Sequence, residues 1–366
     1  MRYVPINCIR AGMVIARKLL GNNGQLFLNE GIAIQESYIN GIRKLGYAGV
    51  YIDDELSSDI EIIEIINEDL RNKSVQTIKN TFVSIENGNH SIDTNINALS
   101  DIINSIVDSV LENKDTIVNM LDLKTFDDYT YLHSVNVTLL TLIIGAAFKL
   151  NKNDLYKLGL SAILHDIGKI FIPKSILNKP GRLTDEEFAI IQTHSTQGYQ
   201  YLKKDYDIPM ASYLGVLQHH ERYDGSGYPL KIEGKKIHLF GRIIAITDVY
   251  DALTSNRPYR KAMLPSEAFE YILANGNLHF DPALVASFTE KIAAYPVGTI
   301  IQLSNGNSGI VMKNYTNSFV RPVVRIFRHG DRQVTPYIVD LRDNMDYLNV
   351  TIVGQGIESD LEMCLP

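Results

Sequence analysis

The feature that most constrains this chain is the placement of its histidines and carboxylates on apolar stripes. His133 stands in register with Val137, Leu140 and Ile144, at steps of four, three and four. His165 follows Leu155, Leu158 and Ala162 at steps of three, four and three. Asp248 follows Ile244 by four residues and precedes Asp251 by three. Such steps put residues on one face of a helix. Each polar group is therefore predicted to point inward from a helix that also packs a core. His194 and the pair His219-His220 fall in the same stretch. A buried carboxylate or imidazole without a partner is costly. Separate hydrogen bonds would have to arise independently at every position, whereas metal ions satisfy all of them together.

The donor types narrow the chemistry. Imidazole nitrogens mixed with carboxylate oxygens suit iron, manganese, zinc, nickel or cobalt, whereas an all-oxygen set would suit magnesium or calcium. The candidate ligands are His133, His165, Asp166, His194, His219, His220 and Asp248. That set exceeds the three or four ligands of a single catalytic zinc, so two ions are predicted, with Asp166 as the natural bridge. Two ions roughly 3.5–4 Å apart acidify a shared water and clamp both oxygens of an in-line displacement. That is phosphoester chemistry.

Composition sets the frame. Of 366 residues, 45% are apolar and 21% charged, as in an ordinary folded protein of two or three domains. The net charge of -7 argues against binding polymeric nucleic acid, while leaving room for a local basic pocket. Only Cys8 and Cys364 are present, which fits a reducing compartment without a disulfide framework. No secretory signal follows Met1, and the apolar run at residues 135–148 covers about half of a bilayer span, so a buried core helix and a cytoplasmic protein are expected.

Four zones differ in texture. Residues 1–57 predict a small α/β unit, with strands near residues 12–16 and 49–52 and a helix over 34–45. Residues 58–125 predict helices interrupted near Asn87-Gly88-Asn89. The second of these carries Ile96, Leu99, Ile103, Ile106, Val110 and Ile117, either to cover the next domain or, through residues 96–122, to pair two copies as a homodimer. Residues 126–293 predict an all-α bundle. Thr184 with Glu187 forms a capping box there, and Leu264-Pro265 and Asp281-Pro282 mark helix starts. Residues 294–366 predict a small β-barrel-like domain, with strands over 298–303, 309–312, 322–327 and 334–339.

The motifs resemble a known family. His165-Asp166-Ile167-Gly168-Lys169 is similar to the signature of HD metal-dependent phosphohydrolases. His219-His220-Glu221-Arg222-Tyr223-Asp224-Gly225-Ser226-Gly227-Tyr228-Pro229 resembles the extended motif of the HD-GYP subgroup. The intervening Lys179-Pro180-Gly181, Glu187 and His194, and the later Asp248-Val249-Tyr250-Asp251-Ala252-Leu253-Thr254 and Arg257-Pro258-Tyr259-Arg260, fall where that family has them. The resemblance covers about residues 126–293.

It implies a helical bundle around two or three metals, usually iron or manganese, and hydrolysis of cyclic di-GMP by a metal-activated hydroxide. The same seven side chains become the ligands, Asp166 bridging. Lys169 would set a cation against the scissile phosphate. Asp251 would orient the attacking water or touch a guanine. Tyr228 would offer a ring face or hydroxyl, and Arg257 and Arg260 would bind phosphate or guanine. Three-metal members place a Glu four residues before the first ligand histidine, where this chain has Tyr129. Two divalent ions, and a reaction stopping at the linear dinucleotide, are the corresponding expectations. A weakly catalytic cyclic di-GMP receptor and a hydrolase of another cyclic dinucleotide are the competing readings. His90, His238, His279 and His329 are expected to be structural.

Overall fold

The computed structural model describes residues 1–21, 25–87, 92–118, 129–204, 207–255, 262–316 and 318–355. Asp127, Asp128, Arg257, Arg260, His90 and Cys364 lie outside them, as does the side chain of Tyr129.

The N-terminal region comprises β1 (Arg2–Pro5), β2 (Val14–Ile15), β3 (Leu19–Leu20), β4 (Leu26–Leu28), α1 (Glu36–Lys44) and β5 (Gly49–Asp53). Strand β5 is central in an antiparallel sheet of order β1-β5-β2, and β3 pairs with β4. The strand β1 was not anticipated. Its Arg2 is buried and donates through Nε to Asp54 at 2.8 Å.

Two long helices follow: α2 (Glu68–Glu86) and α3 (Ile92–Glu112). Asn67 caps α2, its side chain accepting from Leu70 N at 2.8 Å. The apolar stripe of α3, Ile96, Leu99, Ile103, Ile106 and Val110, is buried within the chain, where α3 packs on α2, α4 (Tyr129–Ala147) and α5 (Lys152–Ile163). That stripe covers the helical core and is not offered to a second copy. Ile117, the last residue expected on the stripe, lies beyond the end of α3.

The core continues through α6 (Lys174–Leu177), α7 (Asp185–Leu202), α8 (Met210–Gln218), α9 (Leu239–Thr254), α10 (Pro265–Ala274) and α11 (Pro282–Lys291). Helix α4 is at the centre, packed by α2, α3, α5, α9 and α11. Its window Thr130–Ala147 is long and apolar enough to cross a membrane, a longer stretch than the sequence suggested, and 72% of it is buried inside the protein. Predicted caps are in place. Thr184 and Glu187 form the reciprocal box that opens α7, and Asp281 accepts from Ala283 N at 2.9 Å to open α11.

The C-terminal strands are β6 (Ile300–Leu303), β7 (Asn307–Lys313), β8 (Val323–His329), β9 (Arg332–Asp340) and β10 (Ile352–Gln355). They form one antiparallel sheet in the order β10-β6-β7-β8-β9. Among the described residues β9 and β10 do not pair with each other, so where a β-barrel-like unit is expected the strands form an open sheet. It abuts the N-terminal region. Tyr3 N donates to Gly298 O at 3.0 Å, and Arg325 reaches both Asp59 oxygens at 2.6 Å and the Leu56 carbonyl at 2.9 Å.

Candidate metal centre

Five segments deliver the expected ligands to one place. Helix α4 supplies His133, α7 supplies His194, and α9 supplies Asp248. His165 and Asp166 do not continue α5. That helix ends at Ile163, and the pair occupies the turn before a 3-10 segment, Ile167–Phe171. His219 caps the C-terminal end of α8, and His220 follows it.

The turn after α5 packs close against α7, and Gly168 permits it. A Cβ at Gly168 would lie 1.9 Å from the His194 carbonyl oxygen and 2.7 Å from Gly198 N. One helical turn from three of the ligands, Val137, Ala162 and Ile244 form a small apolar cluster of their own. Helices α4, α5 and α9 thus meet in a buried apolar contact one turn from the ligands.

Four imidazoles are oriented alike. Nδ1 lies 2.7 Å from the carbonyl of Ala162 in His165, of Ile191 in His194 and of Val216 in His219. In His133 it lies 2.7 Å from Asp251 Oδ2. Each partner is an acceptor, so Nδ1 carries a proton in all four; Nε2 presents a lone pair to the centre in the three carbonyl-anchored rings, and in His133 once its second proton leaves. Nε2 of His165 is fully buried with no hydrogen-bond partner. An unpaired acceptor there is costly, and it is what a metal ligand looks like without its ion.

The ligand atoms form two triads, His133/His165/Asp166 and His194/His219/His220, each with its atoms within 4.8 Å of one another. Two carboxylates span them. Asp166 Oδ2 lies 3.4 Å from His165 Nε2 and 3.9 Å from His133 Nε2, while its Oδ1 lies 3.5 Å from His194 Nε2. Asp248 Oδ1 lies 3.2 Å from His133 Nε2, and its Oδ2 lies 3.9 Å from His220 Nδ1. Most of these side chains are buried, but His220 and Asp248 keep 25% and 14% exposure, which places the opening on their side.

Electrostatics suits cation binding. Burial lowers the His194 and His219 rings, His219 well below the usual imidazole range, and takes His220 down to about 3, so all three are neutral donors. Burial would push Asp166 and Asp248 up, yet each is held well below the carboxylate range: Asp166 chiefly by Lys169 and the facing imidazoles, Asp248 chiefly by His133. Burial opposes a proton on His133, but Asp248 and Asp251 outweigh it and raise the ring to about 9. Neutral rings beside ionised carboxylates form a site for divalent metal.

Among the expected substrate-side residues, Asp251 is placed differently from expectation. Asp251 is buried against His133, with Asn136 Nδ2 donating to its other oxygen at 2.9 Å, so it supports a ligand and faces no open space. Lys169 is in the site, but its Nζ donates to Asp166 Oδ2 at 2.5 Å. The Tyr228 ring stacks on His220, centroids 4.7 Å apart.

The loop carrying Tyr228 is held by Glu221, a role not anticipated. This buried carboxylate accepts from Leu230 N at 2.6 Å and Ile232 N at 3.3 Å. Gly227 allows the loop to fold on itself, since a Cβ there would lie 2.3 Å from Arg222 N and 2.5 Å from the His220 carbonyl. A cavity of about 320 Å³ adjoins the centre, lined by His219, His220 and Tyr228 together with Phe188, Tyr271 and His279. His279, expected to be structural, is therefore exposed to whatever enters. His238 accepts from Phe240 N at 3.2 Å and caps α9, as expected, and His329 stacks on Tyr337 in the C-terminal sheet.

A bundle that gathers five histidines and two aspartates, with a His-Asp pair in one turn, defines a class. The HD domain family model matches residues 97–284, just over half of the chain. The chain belongs to the HD domain family, and its Gly227-Tyr228-Pro229 segment resembles the motif of the HD-GYP subgroup. It is 40% identical over 231 residues to a cyclic di-GMP phosphodiesterase of Pseudomonas aeruginosa, covering 62% of this chain and 55% of the relative. A cyclic di-GMP phosphodiesterase of Vibrio cholerae is 45% identical over 140 residues, covering 37% of this chain and 28% of the relative. A 3'3'-cGAMP-specific phosphodiesterase of the same organism is 35% identical over 192 residues, covering 48% and 44%. The chain thus spans between about a quarter and just over half the length of these relatives.

Proposed function

We propose that this chain is a cytoplasmic phosphodiesterase that hydrolyses cyclic di-GMP at a centre of two divalent transition metals, iron or manganese. One observation carries the reading: two donor triads spanned by the two oxygens of Asp166. His133, His165 and Asp166 would hold one ion, and His194, His219 and His220 the other, with Asp248 reaching both. Bound there, such ions acidify a water and neutralise charge growing on the phosphate oxygens.

The protein's own groups do the rest. Lys169 keeps Asp166 ionised. Carbonyl-anchored rings hold their lone pairs inward, so little reorganisation is needed on loading. Tyr228 covers His220 and offers its ring to a base. Arg257 and Arg260 keep their place in this reading on motif grounds, as phosphate or guanine contacts. The division at about residues 57, 125 and 293 also belongs to it, with residues 126–293 as the catalytic unit.

Identity of 38–45% to cyclic di-GMP enzymes, against 33–36% to the 3'3'-cGAMP-specific ones, supports cyclic di-GMP as the preferred substrate. The second reading is a mixed cyclic dinucleotide. Anaerobically purified protein loaded with Mn²⁺ or Fe²⁺, given each substrate separately, decides between them by chromatography of products. Faster release from cyclic di-GMP supports the proposal. Release from 3'3'-cGAMP alone selects the second reading, and no release from either leaves a receptor. Two ions per chain and accumulation of the linear dinucleotide are the accompanying expectations.

A further inference from the structure

A chain of hydrogen bonds leaves the centre and ends outside the ligand-bearing helices. His133 Nδ1 meets Asp251 Oδ2 at 2.7 Å, Asn136 Nδ2 donates to Asp251 Oδ1 at 2.9 Å, and Arg71 Nη1 donates to Asn136 Oδ1 at 2.9 Å. Asn136 is fully buried in α4 between Val135 and Val137. Arg71 is in the first turns of α2, outside the matched family segment at residues 97–284. We propose that Arg71 and Asn136 are positioning residues for His133, so that α2 sets how tightly the centre holds its ion. The proposal rests on reading the site as a metal centre.

The argument is one of donor and acceptor matching. An Asn amide has two donors on one end and an acceptor on the other. Arg71 has donors only, so it fixes the Asn136 oxygen toward α2 and its NH₂ toward Asp251. A flipped amide would set NH₂ against guanidinium and oxygen against carboxylate, two repulsive contacts. With the amide fixed, Asp251 receives Asn136 on one oxygen, and His133 and Ser255 (at 3.3 Å) on the other. The ionised Asp251 accepts only, which commits His133 Nδ1 to donating and leaves Nε2 as the ligand atom.

Helix α2 is well placed to transmit its position. It packs on α4 and on the 3-10 segment that carries Lys169, and Lys18 of the N-terminal region pairs with Glu68 at 3.3 Å, three residues before Arg71. Without Arg71 the amide loses one of the two contacts that orient it, and the carboxylate of Asp251 is held less firmly against His133.

The test uses the metal-free full chain and Mn²⁺ as probe, with affinity read by competition against a fluorescent chelator. Arg71→Met is expected to weaken Mn²⁺ binding by about 10-fold or more, the usual effect of losing support behind a ligand. Arg71→Lys keeps a cationic donor and should recover part of it. Lys73→Met, at an exposed position on α2, should bind as wild type does. Wild-type affinity in Arg71→Met overturns the proposal. So does Arg71→Lys no better than Met, or an equal loss in Lys73→Met. A wild-type chain that takes up no Mn²⁺ overturns the metal centre and this inference together. Normal Mn²⁺ behaviour without hydrolysis of cyclic di-GMP sinks only the substrate assignment.

Discussion

Asp166 faces His194 Nε2 with one oxygen, at 3.5 Å, and His165 Nε2 with the other, at 3.4 Å. A single carboxylate thereby belongs to both halves of the centre, and its loss should cost more than the loss of any one ring.

Asp166→Ala is therefore expected to lower turnover at least about 1,000-fold, a barrier increase of about 4 kcal/mol, and to reduce metal content to less than one ion per chain. Elemental analysis alongside an assay on cyclic di-GMP checks both. Full activity with normal loading contradicts the assignment.

Loading should also release protons. In the metal-free pocket His133 is protonated up to about pH 9, because Asp248 and Asp251 face it, and an ion must displace that proton. Metal affinity should rise with pH over this range. The sign for stability is the reverse. A folded pKa raised above the ordinary 6.5 stabilises the metal-free protein fully below pH 6.5, and that contribution is lost as pH climbs through about 9. Calorimetric titration with Mn²⁺ in buffers of different ionisation enthalpy reads the first effect. Identical heats at pH 7 would refute it.

Gly168→Ala should cost about 1–3 kcal/mol or more through overpacking, because the nearest atoms are backbone of α7 and cannot rotate away. Since the displaced helix carries His194, metal affinity should fall as well. Urea unfolding with a chelator present separates the two, and unchanged stability would show that the segments can part at little cost.

Two ion pairs should differ sharply. Asp281 is buried, pairs with Arg242 and caps α11. Asp281→Ala removes the cap of α11 and the carboxylate partner of the mostly buried Arg242, and should cost about 3 kcal/mol. Asp59, whose side chain is 58% exposed, pairs with Arg325 across the N- and C-terminal regions, and Asp59→Ala should cost less than about 1 kcal/mol. Denaturant midpoints decide the ranking.

Glu221→Gln places an amide where a buried carboxylate accepts from Leu230 and Ile232. The Tyr228 loop should loosen while the ligands stay, giving a KM for cyclic di-GMP raised about 10-fold (roughly 1.4 kcal/mol) at unchanged metal content. Loss of metal instead would place Glu221 closer to the ions than its contacts indicate.

Much of this was legible because helical period and chemistry coincide. His133 and Asp248 sit on stripes whose apolar members are buried, and the cap residues Thr184 and Asp281 act where their spacing put them. His165 shows the limit of that reasoning. Its spacing mimics a helix that has already ended, because a 3-10 turn nearly preserves the step of three. Asp251 could not be assigned from spacing alone, since a position one turn beyond a ligand can face either substrate or the ligand behind it. Asn136 does carry a signal, an amide three residues past His133 in a largely apolar helix. Arg71 had none, because its partner is 65 residues away. The open edge between β9 and β10 was likewise invisible, as strand periodicity specifies faces and not closure.

The two glycines at the centre carry an implication for sequence variation. Gly168 and Gly227 each stand where the smallest possible side chain would strike main-chain atoms of another segment or of the same loop. Neither neighbour can yield by changing rotamer. These positions should therefore tolerate no drift at all while the ligands persist, and a homologue that has lost either glycine should be one whose ligand set has decayed with it.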